Sequence, residues 1–112
     1  MSNKYKRDQA VQYNGWSNFE TWNFNLWITN EESDYNHALE LAEDSKDEYE
    51  LSKRLKEWAV DMAENCLVSE NGFIVDVVYM SISEVNFYEV AEHLWEERQE
   101  AVREGEIERV NN

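Results

Sequence analysis

From Leu51 to Cys66 the residues Leu51, Leu55, Trp58, Ala59, Met62 and Cys66 keep helical spacing for about four turns. A strand alternates its side chains with a period of two, so it cannot gather that set on one face. The segment 46–67 is therefore predicted to be a helix, entered through the capping box Ser45-Lys46-Asp47-Glu48, and the rest of the chain has to pack around it. The chain has no proline and three glycines, which leaves little turn punctuation and favours further helices joined by short polar connections. Its 112 residues leave room for one modest core. We read 1–112 as a single domain with a flexible arm at 1–13 and a flexible tail at 106–112.

Ser17-Asn18-Phe19-Glu20 also has the capping-box form and opens a helix expected over 18–29, which Asn30 can end. Ser33 can cap a short second helix with Tyr35, Ala38, Leu39 and Ala42 on its inner side. Ser69-Glu70-Asn71-Gly72 reads as a connection. Asn86, with Glu89 three residues on, opens a last helix whose inward stripe is Val90, Ala91, Leu94, Ala101 and Val102, and Gly105 is expected to stop it. Two segments stay open between helix and strand. Trp22, Phe24, Leu26 and Ile28 also alternate as a strand would, and Phe73 to Ile82 is rich in β-branched residues yet suits a broad helical face. The fold expected is mainly α, a compact bundle of four to five helices, with a small two-stranded sheet from 19–29 and 73–82 as the α+β alternative.

Charge sets the function class. The chain carries 25 acidic against 10 basic side chains, a formal net charge of −15, together with five tryptophans that a disordered acidic tail would lack. The acid is segregated: residues 31–50 hold nine acids and one base, and residues 69–92 hold five acids and no base. On the last helix Glu89, Glu92, Glu96 and Glu100 form one ridge despite like charges at i, i+4 that each cost about 0.2–0.5 kcal/mol. Solvation alone is the plain reading of such a face. The functional reading is capture of a basic surface, with Glu40, Glu43, Asp44 and Asp47 and the ridge Glu89, Glu92, Glu96 and Glu100 as partner-binding residues. Duplex DNA carries one charge per about 1.7 Å, so −15 equals roughly seven to eight base pairs. Direct nucleic-acid binding is disfavoured, because only Lys4 to Arg7 form a basic arm.

The aromatic segment 13–28 reads first as core in a domain this small; left uncovered, it is the second candidate surface, with Trp22 or Trp27 as its anchor. Motifs for catalysis are missing: no phosphate loop, dinucleotide fingerprint, nucleophile elbow or calcium loop occurs, and His37 and His93 lack the spacing of a zinc or di-iron site. No enzyme activity, metal or cofactor is expected. Cys66 cannot form an intramolecular disulfide and is expected to fill the core of a protein kept in a reducing cytoplasm. No membrane span and no signal peptide are expected, since no run of about 18 apolar residues occurs.

The stretch Asn14-Gly15-Trp16-Ser17-Asn18-Phe19-Glu20-Thr21-Trp22, running on through Asn25-Leu26-Trp27, resembles the opening motif of small proteins carried by bacteriophages and other mobile elements. These share a Gly-Trp-Ser/Thr-Asn-aromatic-Glu-Thr-Trp signature. Ser83 to His93 resembles their second shared stretch, so the likeness covers about residues 14–95. It implies a phage or mobile-element setting and a helical fold, and it supplies no activity or functional residues. Together with the segregated acid it leads us to expect a phage-encoded inhibitor of a host nucleic-acid-binding defence enzyme of the restriction or CRISPR type, acting in the host cytoplasm by nucleic-acid mimicry or capture of a basic surface. The alternative is a non-catalytic protein-interaction or assembly adaptor that binds through 13–28.

Overall fold

The computed structural model describes residues 15–67 and 72–111, which form the helices α1 (Phe19–Asn30), α2 (Glu32–Asp44), α3 (Glu48–Cys66), α4 (Gly72–Glu84) and α5 (Phe87–Asn111). The fold is mainly α, a bundle of five helices, and no strand occurs among the described residues. Both segments that period alone left open are helical. Once 19–30 winds into a helix, a strand at 73–82 has no edge to pair with, and its backbone amides must be satisfied within the segment. The propensity penalty of valine or isoleucine in a helix, below about 0.7 kcal/mol per residue, is too small to outweigh that.

Helix starts are displaced from the serines expected to make them. Asn18, in extended conformation, caps α1: its Oδ1 accepts from the Thr21 amide at 2.8 Å. Asp47 caps α3 by accepting from the Glu50 amide at 2.8 Å, and Glu50 reaches back to the Lys46 amide at 2.7 Å. Ser45 is buried instead, its hydroxyl donating to the Leu41 carbonyl at 2.7 Å. At both starts two cap-competent residues lie close together, and the one immediately before the first helical residue wins. Ser33 lies inside α2, behind Glu31, which makes no side-chain cap bond. Gly105 does not stop α5, which runs through it to Asn111. An internal glycine costs about 1 kcal/mol relative to alanine, and no proline follows to enforce an end. The 1–13 arm and the Ala101 and Val102 side chains lie outside the described residues.

Helices α2, α3 and α5 each touch the other two and enclose one core. Ala38 and Ala42 from α2, Leu51, Leu55 and Ala59 from α3, and Val90, Ala91 and Leu94 from α5 meet there with Ile28 and Phe87. The alanines let backbones approach, and the leucines fill the space between them. Helix α1 crosses α2 and α5, with Phe24 edge-on to Phe87 at 5.1 Å. Helix α4 packs on α1 and α3 and buries no residue fully. Cys66 corrects the expectation of a core thiol. The buried stripe of α3 ends at Ala63, and Cys66, the helix's last residue, is exposed.

Candidate functional site

Residues 15–22 and 84–93 lie against each other. Gly15 adopts φ of +92°, a backbone that only glycine takes without strain, and Trp16 then stacks on His93 with ring centroids 4.2 Å apart. The Ser17 amide and hydroxyl donate to Glu89 Oε1 at 3.2 and 2.7 Å. Asn18 uses Nδ2 to donate to the Glu84 carbonyl at 2.8 Å while its oxygen caps α1. Thr21, fully buried, accepts from the Asn86 amide at 2.8 Å, and Asn86 Oδ1 accepts from the Glu89 amide at 3.1 Å. Six hydrogen-bonded residues, with the Trp16–His93 ring contact beside them, thus clasp the start of α1 to the corner between α4 and α5. Glu89, expected to face a partner, is used inside this clasp.

The remaining acidic candidates fall into two outward sets. Glu40 is two residues from each of the buried Ala38 and Ala42, so it points roughly 200° away from the core, and Glu43 and Asp44 flank it in the exposed half of α2. His37 lies 3.8 Å from Glu40. On α5, Glu92 stands in the same relation to Val90 and Leu94, and Glu92, Glu96 and Glu100 are all exposed. Faces turned away from one shared core diverge, so the two sets occupy different sides of the bundle. Asp47 belongs to neither, because its carboxylate caps α3. Among the described side chains, the Glu50–Arg54 ion pair and the His37–Glu40 contact do not involve Glu92, Glu96 or Glu100.

Between the two sets the Tyr35 hydroxyl donates to Glu97 Oε2 at 3.2 Å. Burial raises the Tyr35 pKa above its ordinary value of 10.0, and the charges of Glu97 and Glu100 and the hydrogen bond to Glu97 push the same way. The unfolded chain therefore loses this proton first, so the contribution is intact below about pH 10 and is lost as pH rises through the folded value. Urea unfolding between pH 8 and 11 should show stability falling on the alkaline side, with a shallower fall in Tyr35→Phe. Equal slopes in the two proteins would refute the assignment.

The aromatic candidates separate. Trp22 is partly buried with its ring 5.6 Å from Phe19, whereas Trp27 is 49% exposed beside Leu26 at 43%. Apolar residues lie all around α1, and Leu26 and Trp27 on one side of it are exposed. Trp27 leans on Trp58, ring centroids 6.4 Å apart, and forms one wall of an open trough of about 550 Å³ between α1, the end of α3 and α4. The other side of α4 exposes Phe73, Val77 and Met80 at i, i+4 and i+7. Of these features the sequence marked Trp27 alone as a possible anchor; the signal for the rest was apolar residues on both sides of a helical 73–82. Among the described residues no three His, Cys, Asp or Glu side chains gather to hold a metal ion, and no helix is long and apolar enough to cross a membrane.

Residues 9–101 match the model of a family of unknown function, DUF7249. No curated protein and no solved structure matches the chain.

Proposed function

We propose that this chain, which belongs to the DUF7249 family, is a non-catalytic acidic binding protein that captures the basic, nucleic-acid-binding surface of a host protein and so blocks it. The observation that carries this reading is the α5 ridge, where Glu92, Glu96 and Glu100 point away from the core and, among the described residues, no basic side chain is paired to them. Two repulsive i, i+4 contacts are kept there, each costing about 0.2–0.5 kcal/mol, with no compensating bond among the described residues. Successive ridge carboxylates are about 6 Å apart along the axis, against about 3.4 Å per charge on one DNA strand. The ridge therefore resembles nucleic acid in sign and line rather than in charge spacing, which favours capture of a basic surface over phosphate-by-phosphate mimicry. In a phage setting the natural target is a defence enzyme of the restriction or CRISPR type in the host cytoplasm.

Replacing Glu92, Glu96 and Glu100 together by glutamine relieves the internal repulsion and keeps the fold, so any loss of binding reports the surface itself. A host-lysate pull-down at low salt should recover a basic partner with the native chain and not with this variant. At about 1 M salt, where the Debye length is about 3 Å, the native complex should also dissociate. Unchanged recovery by the variant at low salt refutes the reading. The half-exposed Trp27 favours a second reading, an interaction adaptor working through the aromatic segment 13–28. That reading takes the place of the first if the complex resists high salt and is lost in Trp27→Ala.

A further inference from the structure

The trough between α1, α3 and α4 is walled by Phe24, Trp27, Met62, Ala63, Val78 and Ile82. Past Trp27 and Asn23, which belong to both, it continues into a smaller hollow of about 300 Å³ reached by Glu31 and Asp34. We propose that this pair of hollows docks a cationic amphipathic peptide segment of a partner protein, its apolar side chains in the trough and a lysine or arginine against Trp27 beside Glu31 and Asp34.

The trough lies within the size range of ligand sites, about 300–1,000 Å³, and an apolar groove flanked by charge is how amphipathic helices are commonly received. Charge complementarity selects the sign. Among the described residues the charged ones lining the two hollows are Glu20, Glu31 and Asp34, and none of the described lysines, arginines or histidines lines either. Trp27 stands where the apolar and acidic parts meet, its half-exposed indole able to pack on an aliphatic stem and face its cation. The rival occupant is a second copy offering the Phe73, Val77 and Met80 stripe, but each copy brings a net charge of −15 to the contact. None of the described residues of α5 lines either hollow, so the proposal is independent of the ridge.

A synthetic peptide of about 15 residues, with leucines at i, i+3, i+4 and i+7 and lysines elsewhere, is the probe. Cys66 is exposed, lines the trough and is the chain's sole cysteine, so its rate of labelling by a maleimide reports occupancy. Saturating peptide should slow that labelling at least about fivefold, and calorimetry should show affinity falling about tenfold in Trp27→Ala and again in Glu31→Gln with Asp34→Asn. Glu92→Gln with Glu96→Gln and Glu100→Gln should bind the peptide as the native chain does. Undiminished Cys66 labelling overturns the proposal. So does equal binding by a scrambled lysine peptide or by one with glutamates for lysines, or loss of binding in the ridge variant. A dimer in sedimentation that protects Cys66 without peptide assigns the trough to a second copy instead.

Discussion

Leu94→Ala should lower the unfolding free energy by about 2–5 kcal/mol, while Phe73→Ala should change it by no more than about 0.5 kcal/mol. Leu94 is fully buried where α5 meets α2 and α3, so its truncation removes transferred apolar surface and leaves a cavity among helices that cannot close over it. Phe73 has the larger side chain and sits in the most apolar helix, yet it is 73% exposed and has little burial to lose. Domains of this size are stable by about 5–15 kcal/mol, so the first variant forfeits a large share and the second almost none. Urea unfolding followed by circular dichroism separates them by midpoint. Comparable losses would mean that Phe73 belongs to a core face, and would reject the architecture.

The contrast also marks what the sequence could convey. A stripe such as Leu51, Leu55 and Ala59 is set by one helix's own period, so it is legible before any partner is known, and the same holds for Ala38 with Ala42 and for Val90, Ala91 and Leu94. Cys66 extended the α3 stripe perfectly well by spacing and still lies outside the core, because where the neighbouring helices end is not written in α3. The acidic residues show the same divide. Their positions on α2 and α5 follow from the sequence, whereas the divergence of the two sets follows from how three helices close on one core. Glu89 and Asp47 each stood in a helix-start motif as well as in an acidic set, and which role each carboxylate takes was settled only by the amides they serve. The trough was hidden for a related reason: it is made by α1, α3 and α4 together, and its apolar walls read on each helix as ordinary core.

Asn18→Ala should cost about 1–3 kcal/mol, an unusually large effect for a polar residue at a helix end. Loss of an N-cap typically costs about 0.5–2 kcal/mol, and the same side chain also donates to the Glu84 carbonyl, a bond worth about 0.5–1.5 kcal/mol net. Thr21→Val tests the neighbouring link, because it keeps shape and burial while taking the acceptor from the Asn86 amide, at about 1–3 kcal/mol. Both links fasten the start of α1 to the α4–α5 corner across more than 60 residues of chain. Once one is broken the other holds less, so the double variant should lose less than the sum of the singles. A strictly additive pair, read from urea midpoints, would mean that the contacts act independently and do not form a clasp. Coupling would give the Gly-Trp-Ser-Asn-Phe-Glu-Thr signature a structural meaning: Gly15, Trp16, Ser17, Asn18 and Thr21 build the joint that holds α1, and with it one wall of the trough, against the rest of the bundle.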